Sequence, residues 1–134
     1  SDLFEHDTWG RQVEDLRTVA AAARSGAIAG GGLPQAWFGH SRGGVTALTA
    51  ATESEADGRD APAAVVTAAT QHTADRMDDE EKRLLRKHGR VASPSARTGE
   101  VLYVGRDWLD ELEREPRRFN PMLSAERLRA ALLI

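Results

Sequence analysis

A chain of 134 residues is long enough for one domain with a single core, and its 40% hydrophobic and 29% charged residues are those of an ordinary globular protein. The formal charge of −3, from 18 basic and 21 acidic side chains, is well interspersed and excludes the gathered basic face of a nucleic-acid binder. The absence of cysteine excludes disulfides, thiolate chemistry and cysteine metal sites and fits a reducing, cytoplasmic compartment, while no apolar run approaches the roughly 18 residues of a membrane span.

The N-terminal "SDLFEHDTWG" has no basic segment followed by an apolar core, so it does not read as a secretory signal. It also lacks an initiator methionine, which suggests a chain that starts partway through a longer product. Asp7 can cap a helix from about Thr8 to Arg24, with Val13, Leu16, Ala20 and Ala23 on one stripe at helical spacing. The stretch "SGAIAGGGLP" (25–34) breaks that helix; its three glycines precede a strand instead of following one, so it reads as a connection and not as a phosphate loop.

Residues 35–39, "QAWFG", form a short apolar strand, and 42–52 a helix of small residues. "ESEADGRDAP" (53–62) is polar, with turn chemistry at Asp57-Gly58. "AAVVTAA" (63–69) is continuously apolar, as parallel strands covered on both faces tend to be. Asp78 and Glu81 have the spacing of a capping box for a charged helix that ends at His88 before Gly89. The basic run "KRLLRKHGR" (82–90) follows "DDEE", the charge order that a helix dipole favours, and so reads as a helix and not as a nucleic-acid patch. "VASPSARTGEVLYVG" (91–105) has turn residues and then a strand-like alternation; Asp107 starts a short helix, and Ser124 opens a last one before the apolar "ALLI". Helices and apolar strands in alternation predict an α/β class with a mostly parallel sheet, of which two strands and the start of a third can be placed.

Gly39-His40-Ser41-Arg42-Gly43 fits G-x-S-x-G, with an apolar strand before it and a helix after it. Glycines let the backbone take a tight turn that presents the serine hydroxyl beyond the strand's carboxyl end. The helix N-terminus beneath offers free amides and a positive dipole end to an oxyanion. Gly44 and the alanines after it permit close packing of that helix on the sheet. The same residues, "GHSRGGVT", fit most of a nucleotide phosphate loop, but Val45 stands where its lysine is needed and cannot neutralise a phosphate.

On a strand–helix turn, "GHSRGG" resembles the nucleophile elbow of the α/β-hydrolase superfamily. Around it, "HDTWGRQVEDLRTVAAAARSG" is similar to the helix before the nucleophile strand and "AAVVTAAT" to the next strand. Residues 77–122 resemble the variable cap after that strand, and "RLRAALLI" the approach to the strand that precedes the catalytic acid. The character is that of bacterial dienelactone-hydrolase-like and serine-aminopeptidase-like esterases. The resemblance implies a partial α/β-hydrolase domain over 1–134, with core 1–76 and 123–134 and a cap-like insertion 77–122. It implies Ser41 as nucleophile, the backbone N–H of Arg42 as an oxyanion-hole donor, and Gly39, His40 and Gly43 as the residues shaping the elbow, with His40 pointing away from the reaction. No metal and no organic cofactor are implied.

In that family the acid and then the histidine follow the nucleophile. Downstream of Ser41 the histidines are His72 and His88. His88 ends a charged helix. His72 and Asp75 follow the second strand, near the sheet edge where active-site loops gather, and are candidates to line the pocket; as triad members both stand in the wrong place. The expectation is therefore that the oxyanion loop lies upstream of residue 1 and the acid and base downstream of Ile134, since single-domain α/β enzymes commonly run to about 200–250 residues. Two functions follow: a serine hydrolase of small carboxylic esters or acyl compounds, weakly active or inactive as this chain alone, or a non-catalytic module that completes a sheet or self-associates through unpaired edges.

Overall fold

In the computed structural model, which describes residues 2–28 and 31–134, one helical turn, α1 (Asp2–Glu5), precedes the long helix α2 (Trp9–Ser25). Thr8, not Asp7, caps α2: its extended backbone lets the side chain accept the Arg11 N–H. Asp7 is turned instead toward the Gln12 amide and the Arg42 guanidinium. The helix stops at Gly26, which takes the left-handed φ of +81°. Ala29 and Gly30 of the expected connection lie outside the described residues.

Strand β1 (Ala36–His40) leads through Ser41 into α3 (Arg42–Asp57). This helix runs five residues beyond the expected end, through the polar "ESEAD", because those side chains find distant partners. Glu53 accepts Arg118 Nε at 2.6 Å, Glu55 accepts the backbone N–H groups of Arg129 and Ala130, and Ser54 is buried. Gly58 then ends it in the left-handed conformation. β2 (Ala64–Ala68) pairs in parallel with β1, Trp37 beside Val65 and Phe38 beside Val66.

The Asp78–Glu81 capping box is formed as expected at the start of α4 (Asp79–His88), and Gly89 ends the helix. β3 (Arg90–Pro94) and β4 (Val101–Gly105) make an antiparallel hairpin that is a sheet of its own. Next come α5 (Arg106–Arg114) and α6 (Pro121–Arg127). Asn120, not Ser124, caps α6, accepting the N–H groups of Met122 and Leu123, with Pro121 in the first turn where its missing N–H costs nothing. Ser124 lies inside the helix and is buried. β5 (Ala131–Leu133) completes a parallel sheet of order β1-β2-β5.

The fold is thus mixed α/β, with a three-stranded parallel sheet and flanking helices. Trp37, Val65 and Leu132 lie in register on one face of the sheet, where α3 packs against β1 and β2. The other face presents the row Phe38, Val66 and Leu133. Trp9, Val13, Val45, Val65, Leu85, Leu109 and Phe119 are almost wholly buried in one hydrophobic cluster. Each contributes roughly 1.5–3 kcal/mol relative to an exposed side chain. That cluster joins the helices around the parallel sheet to α4 and α5. No helix among the described residues is long and apolar enough to cross a membrane.

Candidate active site

Ser41 stands alone between the last residue of β1 and the first of α3, with φ 51° and ψ −117°. That lies outside the ordinary left-handed basin and is a strained conformation for any residue with a Cβ. Two hydrogen bonds hold it: the Ser41 N–H donates to the Ala68 carbonyl at the end of β2 (2.9 Å), and the Ser41 carbonyl accepts the Gly44 N–H (3.0 Å). A serine at a helix N-cap usually bonds an amide of the first turn through its hydroxyl. The Ser41 hydroxyl makes no such bond. It is half-buried and uncommitted to the helix, and α3 begins at the next residue, which puts the positive end of the helix dipole at the turn.

The steric demand for glycine falls on positions 39 and 44, and not on 43. A Cβ on Gly39 would lie 2.4 Å from the Gly43 carbonyl oxygen, and one on Gly44 would lie 1.8 Å from Thr70 Oγ1. A Cβ on Gly43 would have no described atom within 4 Å, and Gly43 is helical. So Gly43, expected to shape the elbow through its own lack of a side chain, contributes instead the carbonyl that Gly39 must approach. His40 ends β1 on the exposed face, in alternation with the buried Gly39, as expected for a residue that does not serve Ser41.

Among the described residues neither His72 nor Asp75 hydrogen-bonds Ser41. His72 is exposed. Asp75 is fixed elsewhere, one oxygen at Lys82 Nζ (2.5 Å) and the other accepting the Met77 N–H (3.3 Å). It lines a cavity of about 280 Å³ with Lys82, Leu109 and Phe119, whose lining does not include Ser41. The carboxylate is bound up in an ion pair at the root of α4, with a lysine seven residues on that no local motif links to it.

No protein-family description matches this chain, and no curated protein matches it.

Arg42, the residue after the serine, lays its guanidinium over the Trp9 ring, 4.6 Å from the centroid, with Nη2 3.6 Å from Asp7 Oδ2. Burial pushes its pKa down, and the charge of Asp7 works in the opposite direction. Arg42 shares with Trp9, Gln71, Arg76, Val104 and Trp108 the lining of a second cavity, of about 200 Å³. No motif in the sequence links this group: Trp9 lies 33 residues before Arg42 and Trp108 lies 66 after it.

Proposed function

We propose that Ser41 is the nucleophile of a serine hydrolase of the α/β-hydrolase type, acting on small carboxylic esters or related acyl compounds. One observation carries the reading: a serine held at φ 51° and ψ −117° between a parallel strand and a helix, its hydroxyl unused as a helix cap. Strain of that kind costs on the order of 1–3 kcal/mol and persists where the surrounding structure enforces it, which is characteristic of functional turns. Ser41 Oγ attacks the acyl carbonyl, the N–H of Arg42 stabilises the oxyanion, the ester C–O bond breaks and the alcohol leaves with the serine proton; water then attacks the acyl-serine, releasing the free acid and restoring the Ser41 hydroxyl. Serine is a poor nucleophile without a base, and neither His72 nor Asp75 hydrogen-bonds Ser41, so the chain by itself is expected to turn over little substrate.

The test supplies the missing base. Hydrolysis of a short-chain aryl ester is measured for the chain and for Ser41→Ala, each with and without imidazole. Expected is no difference between the two proteins without imidazole, and faster hydrolysis by the Ser41 protein once it is added. Equal rates with imidazole would remove Ser41 as nucleophile. A Ser41-dependent rate without imidazole would overturn the unassisted serine and return His72 and Asp75 to candidacy.

A second reading has its own observation. Phe38, 68% exposed on the edge strand β1, and Leu133, 65% exposed on the other edge strand, leave one sheet face apolar and open. A non-catalytic module that completes a sheet in a partner or self-associates would use that face. Concentration-dependent mass in sedimentation, removed by Phe38→Ser, would favour it; a monomer at all concentrations would count against self-association.

A further inference from the structure

The residue that follows β1 and the residue that follows β2 both carry a Cβ at positive φ, Ser41 at 51° and Ala69 at 50°. They stand side by side, because His40 and Ala68 before them are register partners, and the Ser41 N–H donates to the Ala68 carbonyl at 2.9 Å. Such backbone is uncommon for a residue with a side chain and persists where the surroundings enforce it. Ala69 is exposed, so packing of its own methyl group does not hold it there. What its turn achieves is the placement of the next residue.

That residue, Thr70, lies on the first turn of α3. A Cβ added to Gly44 would meet Thr70 Oγ1 first, then Cγ2 at 2.7 Å and Cβ at 2.8 Å, so the threonine side chain fills the space that glycine leaves open. Thr70 Oγ1 has no exposed surface and no hydrogen-bond partner among the described residues. A hydroxyl buried without a partner destabilises a fold, so hydrogen bonding is not what this threonine supplies. It supplies size and stiffness: an oxygen approaches a Cα more closely than a methyl group does, and the β-branch restricts the side chain to few rotamers. Gly44 in turn donates its N–H to the Ser41 carbonyl at 3.0 Å. One three-residue segment thus grips the serine turn from both sides. Ala68 takes the serine amide, and Thr70 seats the glycine that binds the serine carbonyl.

We propose that Thr70 is a positioning residue for Ser41, clamping the serine turn through its packing on Gly44. The proposal rests on the reading of Ser41 as nucleophile and adds the residue that keeps its hydroxyl aligned with the acyl carbonyl. A displacement of about 1 Å at a reacting group can cost as much as about a hundredfold in rate.

Thr70→Ala, Thr70→Val and Thr70→Ser are compared with the parent in two measurements. The first is deuterium exchange of backbone amides by two-dimensional NMR. Thr70→Ala and Thr70→Val should speed exchange of the Ser41 N–H by at least about tenfold more than that of the amides paired between β1 and β2. A threonine that only adds stability would move both sets by the same factor. The second is imidazole-assisted hydrolysis of the aryl ester at a temperature where every variant is fully folded. The Ser41-dependent kcat should fall at least about tenfold in Thr70→Ala and Thr70→Val, with KM within about twofold, and Thr70→Ser, which keeps the oxygen, should restore most of it. Equal acceleration of both sets of amides overturns the clamp. A loosened Ser41 amide with an unchanged Ser41-dependent kcat overturns the positioning role. A parent no faster than Ser41→Ala in imidazole removes the nucleophile, and the positioning role with it, while the exchange measurement still decides the clamp.

Discussion

Gly39 and Gly43 touch backbone to backbone: a Cβ on Gly39 would stand 2.4 Å from the Gly43 carbonyl oxygen, closer than any real Cβ contact. The strand entering the serine turn and the helix leaving it are therefore locked together by the absence of one methyl group. Gly39→Ala should cost at least about 2 kcal/mol in urea unfolding, because neither backbone can yield without moving the turn. Gly43→Ala, with open space and helical backbone, should be neutral or stabilising by up to about 1 kcal/mol. A larger loss at 43 than at 39 would contradict this geometry.

The strain at Ser41 predicts an inversion of the usual order of substitutions. Glycine adopts positive φ without steric cost, so Ser41→Gly should be more stable than the parent by about 1 kcal/mol, while Ser41→Ala, which keeps the Cβ, should not be. Thermal melts of the three proteins decide it. Ser41→Gly no more stable than Ser41→Ala would mean that the turn is relaxed.

Glu111, 7% exposed, ties α5 to the start of α2. Its two oxygens accept the Gly10 N–H at 3.1 and 3.0 Å, and one of them accepts the Thr8 hydroxyl at 3.2 Å. That amide lies at a helix N-terminus, where a carboxylate is favoured. Glu111→Ala should lower stability by about 1–3 kcal/mol, and Glu111→Gln by less, since the amide keeps one acceptor oxygen. Equal losses for both variants in denaturant titrations would show that charge, not acceptance, is what matters there.

Asp75 makes the opposite case. Its pair with Lys82 is partly exposed, so Asp75→Asn should change stability by less than about 1 kcal/mol. It should also leave the imidazole-assisted, Ser41-dependent hydrolysis unaltered. A large fall in that rate would make Asp75 an acid that serves the serine through a rearranged loop.

What could be read from the sequence was local. The Asp78–Glu81 box closes within one turn, and G-x-S-x-G between an apolar strand and a helix fixes its own geometry, so both were found where expected. What escaped notice depended on partners far along the chain. Asp7 and Thr8 are both acceptable caps; the choice fell to Thr8 because Asp7 is drawn to Gln12 and Arg42. The polar tail of α3 looked like a surface turn, yet it is helical because Glu53 and Glu55 reach Arg118 and Arg129, more than sixty residues away. The Asn120-Pro121 pair carries a local start signal for α6 that is stronger than the one at Ser124. Glu111, Trp9 and Trp108 acquire meaning only from their neighbours in space.

The Ser41 amide hangs from the carbonyl of Ala68, and β2 is the middle strand, flanked on both sides. The turn therefore cannot melt as a surface loop does. Its N–H should exchange with deuterium as slowly as the amides between β1 and β2, on the time scale of whole-molecule opening. Heating should abolish any chemistry at the serine at the temperature where the sheet comes apart, with no earlier loss.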